Sequence, residues 1–186
     1  MTSEDRFEQL LDGVRRGDER AAAELFRRVQ PRLVRYVRSQ EARVAEDLAA
    51  DVWLAVSAGL DSFEGDEAGF RAWVFTIARR RIVDHRRKGI RRRTNPVGPE
   101  EFEDRVDTGS GTDPTERNDS QEAVDLITAT LPPDQAEVIL LRVLADLDAE
   151  TVAGIMGRTA GWVRVTQHRA LKRLATALRR TTDVTP

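Results

Sequence analysis

Between Arg158 and Arg180 the chain places seven lysines and arginines and no acid. Such a density does one kind of chemistry well, the neutralisation of phosphates. Arg71 to Arg93 is a second stretch of this kind, with ten basic residues against Asp84 alone, a net of +9. Between the two, Thr94 to Ser120 sets eight acids against Arg105 and Arg117, a net of −6. The formal charge of −2 over 186 residues hides this segregation. Two basic modules with an acidic strip between them predict two contacts with a polyanion. A different signal sits at Asp47 and Asp51, four apart and so on one helix face, with Leu54 a turn further. Two carboxylates flanked by an exposed apolar side chain suit docking on a basic coiled coil. His85 and His168 are the two histidines, they lie in different modules, and no cluster of carboxylates stands near either in sequence. Acid–base and metal sites need more convergent ligands than that, so neither enzyme activity nor a metal or cofactor is expected. The absence of cysteine excludes disulfides, thiolate catalysis and cysteine-ligated zinc.

The elements that must position these groups read as helices almost throughout. Phe7, Leu10, Leu11 and Val14 recur at i, i+3, i+4, i+7, a first amphipathic helix ended near Gly17. Ala22, Leu25, Phe26 and Val29 give a second, expected to break at Pro31, with Leu33, Val34, Tyr36 and Val37 as a short third. Val44, Leu48, Val52 and Ala55 define a helix running to about Leu60, and Asp61 to Gly69 is a polar, glycine-bearing loop. A long helix follows from about Phe70, with Phe70, Trp73, Val74 and Ile77 as its buried stripe and Phe75 on another side. Its arginine-rich second half has little apolar face and is expected to project from the bundle. Thr94 to Ser120 lacks periodicity and reads as a flexible acidic linker of up to about 90 Å. A second helical module starts from Gln121, its first helix broken at Leu131-Pro132-Pro133.

At the end of the chain AETVAGIMG, Ala149 to Gly157, precedes the basic segment. A short apolar helix, a glycine turn and a basic helix make the layout of a helix-turn-helix, whose second helix enters the DNA major groove. Ala153 is small where the helices cross, Gly157 can supply positive φ at the turn, and Val163 plugs the second helix onto the first. Counting 100° per residue from Val163 puts Gln167, Ala170 and Leu174 on the core side. Val165, His168, Arg169 and Lys172 then face away, joined by Arg158 and Arg164 toward the start of the helix. An exposed valine suits a thymine methyl, and Arg169 suits a guanine or a phosphate. Trp162 is expected to pack rather than to read a base.

AEDLAADVWLAV (Ala45 to Val56), FRAWVFTIARRRIVDHRR (Phe70 to Arg87) and LPPDQAEVILLRVLADLDAETVAGIMGRTAGWVRVTQHRALKRL (Leu131 to Leu174) together resemble the extracytoplasmic-function (group IV) sigma factors of bacterial RNA polymerase, actinobacterial members in particular. The resemblance implies that the helix carrying Asp47, Asp51 and Leu54 meets the clamp helices of the large polymerase subunits. Ala50 stands there where many relatives have glutamine. It implies that the loop Asp61 to Gly69 cradles a flipped minus-ten base and that the next helix melts the promoter. Aromatic surfaces and arginines suit that work. Phe63 is the stacking candidate, or equally a core plug, and Arg71, Arg79, Arg80 and Arg86 are candidates for minus-ten DNA. Arg80 takes a position often held by asparagine. The second domain, by the same resemblance, reads the minus-thirty-five element through Arg158, Arg164, Val165, His168, Arg169 and Lys172. The linker is implied to thread the polymerase cleft, and an anti-sigma protein is the usual regulator.

The expected protein is therefore all-α. Residues 1–93 form a first sigma domain, 94–120 an acidic linker, 121–180 a second domain with a helix-turn-helix, and 181–186 a tail. Its expected partners are core RNA polymerase, promoter DNA as duplex and as single strand, and an anti-sigma factor. No apolar run approaches the roughly 20 residues of a membrane span and MTSEDRFEQLL is no signal peptide, so a cytoplasmic location is expected. The rival reading is a helix-turn-helix repressor or activator that acts without polymerase, which leaves the first basic helix and the acidic strip without a use.

Overall fold

The computed structural model describes residues 3–94 and 114–182, in which every regular element is helical. Most of the acidic segment expected to be a flexible linker, residues 95–113, lies outside the described residues, as does the tail from residue 183. The first half contains α1 (Ser3–Arg15), α2 (Glu19–Gln40), α3 (Ala45–Gly59) and α4 (Glu67–Thr94), with single 3₁₀ turns at Ala42–Val44 and Leu60–Ser62. The second half contains α5 (Pro114–Thr130), α6 (Pro133–Val143), α7 (Ala149–Met156) and α8 (Ala160–Thr182).

Asp18 caps α2, its carboxylate accepting from the backbone N–H of Arg20 at 2.8 Å and of Ala21 at 3.3 Å. The expected break at Pro31 does not occur, and the expected short third helix is the second half of α2. Proline costs a helix one N–H bond and a steric clash, about 3 kcal/mol. Against that, Leu25, Val29, Leu33, Tyr36 and Val37 form one continuous buried stripe that crosses Pro31. Burying a large aliphatic or aromatic side chain is worth about 1.5–3 kcal/mol. A kink that carried the stripe away from the core forfeits several such terms, so the helix runs through.

α5 also starts earlier than Gln121, at Pro114. Proline suits a first helical position, where its missing N–H has no partner to lose.

One apolar core joins the two halves. Phe7, Leu33, Val52, Phe70 and Phe75 belong to the same buried cluster as Val124, Val138, Leu140 and Val152. Tyr36 lies at 0% exposure where they meet, with its ring 5.4 Å from that of Phe75. A second, smaller cluster of Leu131, Ala136, Ile139 and Ala170 fixes α8 on α6. Along α4 the stripe is Phe70, Val74, Phe75, Ala78 and Ile82, with Trp73 and Ile77 only half-buried beside it. Arg86 to Arg91 are exposed, in keeping with a basic end that projects.

Candidate binding surfaces

On α3 the core takes Leu48, Ala49, Val52 and Val56, which leaves Asp47, Asp51 and Leu54 on the outer side. Leu54 is 69% exposed, the highest value among the exposed large apolar side chains of the described residues. The fold has no use for it there. Beside this face Phe26 is 37% exposed, with its ring 5.0 Å from that of Trp53, whose indole N–H donates to Gln30 at 2.6 Å. Phe26 was absorbed into the apolar face of α2 by periodicity, which reports spacing but not how far a stripe's edge emerges.

The loop before α4 is built round aromatic rings. Phe63 stacks on Trp73 at 5.1 Å and 19°, and meets Phe70 edge-on at 5.5 Å. Phe63 is thus half-buried against the core and already has one face on Trp73, which agrees with the core-plug alternative. Trp73 is a packing residue: its ring closes on Gly59, where a Cβ would come within 2.9 Å of it. The carboxylate of Asp66 accepts from the Gly69 N–H at 2.7 Å and so starts α4. Arg15 reaches from α1 to donate to the Phe63 carbonyl. Together α1 and the loop enclose a cleft of about 420 Å³ walled by Phe7, Leu11 and Phe63, with Glu8, Glu64 and Asp66 at its polar side.

The arginines of α4 are not equivalent. Arg80 is exposed. Arg71 has a side chain only 16% exposed, donating to the Ala145 carbonyl at 3.2 Å and to Asp146 at 3.3 Å. Arg79 donates to Glu137 at 3.0 Å. Arg86 donates to Glu41 at 2.5 Å and to the Gln40 carbonyl at 3.1 Å. Three of the four arginines picked for minus-ten DNA thus rest on protein oxygens, two of them in the other half of the chain. Glu137 takes a second bond, accepting from the Tyr36 hydroxyl at 3.0 Å. Burial first, and then the Glu137 charge, push the Tyr36 hydroxyl well above the usual tyrosine range. None of these acceptors was singled out from sequence.

The helix-turn-helix is formed by α7 and α8. Asp148 caps α7 through the Thr151 N–H at 2.7 Å, and this holds its carboxyl below the usual aspartate range. Gly157 ends α7 at φ 64°, ψ 40°, and the next N–H, of Arg158, returns to the Ala153 carbonyl at 2.9 Å. Ala153 and Val163 are buried at the crossing as their sizes predict. One assignment on α8 needs correction. Thr166, 7% exposed, shares the core side with Ala170, whereas Gln167 is half-buried and accepts from Arg142 at 3.1 Å. From Val163 the two positions sit about 60° and 40° either side of the core direction. What faces them decides the outcome, a packed wall for Thr166 and the Arg142 guanidinium for Gln167.

On the outer side Val165 is 50% exposed, and His168, Arg169 and Lys172 are exposed. Arg164 pairs with Glu150, and the Arg158 guanidinium lies 5.1 Å over the half-buried Trp162 ring. Arg169, Lys172, Arg173 and Arg180 line a groove of about 520 Å³ together with Thr130 and Thr176. Among the described residues no three histidines or carboxylates converge as metal ligands, and no helix is long and apolar enough to cross a membrane.

The model of the ECF sigma factor family matches residues 4–181 of the chain. The chain belongs to the ECF sigma factor family. Like other members of that family it acts as a sigma factor in transcription. The ECF sigma factor ShbA of Streptomyces griseus is 36% identical over 170 residues, covering 85% of this chain and 87% of ShbA. The ECF sigma factor SigD of Mycobacterium tuberculosis is 33% identical over 165 residues, covering 85% and 77%. Among solved structures, the sigma factor RpoE of Bartonella quintana, in complex with the anti-sigma factor NepR, matches with a TM-score of 0.59 at 28% identity, over 84% of this chain and 96% of that one. CnrH, solved with the cytosolic domain of CnrY, matches at 20% identity and a TM-score of 0.58, a likeness of fold.

Proposed function

We propose that this ECF sigma factor binds core RNA polymerase through α3, recognises a minus-thirty-five element with α8, and opens the minus-ten region with the Phe63 loop and α4. The observation that carries this reading is Leu54, 69% exposed one turn beyond the exposed Asp47 and Asp51 on the same helix face. A repressor acting without polymerase has no need of an apolar–acidic face remote from its DNA-binding helix. Residues 1–93 and 121–180 then work as separate modules on one promoter, with the acidic segment between them in the polymerase cleft. No cofactor enters, because bond formation belongs to the polymerase. Cytoplasmic location follows from that partner, and regulation by an anti-sigma protein is supported by the complex in which the Bartonella quintana relative was solved.

On α4, Arg80 and the arginines beside it hold the displaced strand by phosphate contact, and the aromatic group Phe63, Phe70 and Trp73 gives the loop a rigid wall for an unstacked base. On α8, Val165 and Arg169 read base edges while Lys172 holds phosphate, with Arg158 and Arg164 flanking them. The test is association with core enzyme on a native gel. Asp47→Lys with Asp51→Lys should abolish the complex while leaving helical circular dichroism and melting near wild type, since exposed substitutions alter stability by about 0.5 kcal/mol or less. Undiminished association of the double variant overturns the assignment of α3.

A further inference from the structure

From Ala149 to Thr182 the helix-turn-helix carries a single acid, Glu150, among its many cations. Glu150 stands in the first turn of α7, and its carboxylate accepts from Nη2 of Arg164 on α8. Arg158, Arg169 and Lys172, which share the outer side with Arg164, have no such ion pair among the described residues. The two side chains are 62% and 59% exposed, so the pair adds little to stability. The first turn of a helix suits an acid whatever stands opposite. What singles Glu150 out is its target, a guanidinium on the helix that meets DNA. The bond engages one corner of the Arg164 fork and leaves its other donors for a base edge. A phosphate approaching that fork meets a carboxylate already on it, and within a Debye length of about 10 Å the two anions repel. The edge of a guanine is neutral, presents two acceptors and meets no such repulsion. Holding the fork also reduces the side-chain freedom lost when it docks.

We infer that Glu150 is a specificity-determining residue, which turns Arg164 away from phosphates and toward base edges. Random duplex is then bound less tightly, and the minus-thirty-five element stands out from it by a larger margin. The inference rests on the proposed reading of that element by α8. Specificity is a difference of affinities, and an acid that penalises the wrong contact raises it without any new attraction.

Glu150→Gln removes the charge and keeps the size. For the free full-length chain, fluorescence anisotropy with a random-sequence duplex should show about threefold tighter binding. The log–log salt slope should steepen by about 0.9, the increment of one added phosphate contact. Holoenzyme assembled with this variant should then select from a promoter library randomised across the minus-thirty-five window. It should lose about fivefold of its preference at one base pair, the pair that Arg164→Ala also relaxes. In an Arg164→Ala background Glu150→Gln should leave the selection profile unchanged. A merely structural Glu150 predicts a lowered melting temperature with all sequences weakened alike, and that result overturns the inference. A change in selection that persists without Arg164 overturns it too. If wild-type holoenzyme selects nothing in the window, the reading of α8 fails together with the inference. If wild type selects, and Glu150→Gln selects identically, α8 keeps its assignment and Glu150 loses its own.

Discussion

Tyr36 is the single tyrosine of the chain, which makes its hydroxyl a reporter that nothing else obscures. Burial and the Glu137 charge raise its pKa, so the folded chain favours the neutral phenol more than the unfolded chain does. That contribution is complete below the unfolded value of about 10 and is lost as pH rises through the folded one. Tyrosinate absorbance in the native protein should therefore appear only at a pH well above that of free tyrosine. Glu137→Gln should lower the midpoint without restoring it to the free value, because burial persists. A wild-type titration coincident with free tyrosine contradicts the contact. On α8 the residue scale separates specificity from affinity. Arg169→Ala should cost about 1–3 kcal/mol at its preferred base pair and relax selection there. Lys172→Ala should weaken all sequences alike and flatten the salt dependence. Selection from a randomised minus-thirty-five library distinguishes them, and a full base preference in Arg169→Ala reduces that arginine to a backbone clamp.

At the scale of elements, apolar spacing was a good guide wherever one face of a helix meets one wall. The stripes of α1 and α3, the bounds of α7 and the Ala153–Val163 crossing follow from it. It misled at Pro31, because local proline chemistry is legible in the chain whereas the continuous buried stripe from Leu25 to Val37 is a tertiary fact. It put Gln167 on the core side and passed over Thr166, because angle alone does not say that Arg142 waits opposite Gln167. Two substitutions probe these points. Pro31→Ala restores an N–H to an uninterrupted helix and should stabilise the protein, by about 2 kcal/mol, in chemical denaturation. A fall in the denaturation midpoint contradicts that account of α2. Gly157→Ala forces a Cβ into the left-handed turn, and should cost about 1–2 kcal/mol and weaken duplex binding.

Across the whole molecule, the sequence carried the charge segregation and the order of the modules but not how they close on each other. Arg79 and Glu137 are 58 residues apart, and Tyr36 and Glu137 are 101 apart, and no periodicity links such pairs. The candidate DNA residues were legible as residue types, yet Arg71 and Arg79 proved to be committed within the protein because an acid at long range is invisible until the chain folds. The face formed by Asp47, Asp51 and Leu54 was legible, since helix geometry alone opposes it to Leu48 and Val52. That face and the two basic helices have a common purpose only if the chain works on polymerase. Runoff transcription with core RNA polymerase and a pool of genomic promoter fragments tests this most directly. The account predicts discrete transcripts that require the chain and vanish with Asp47→Lys and Asp51→Lys. Transcripts that are the same with and without the chain, while the chain still binds promoter duplex, contradict it and favour a regulator that acts without polymerase.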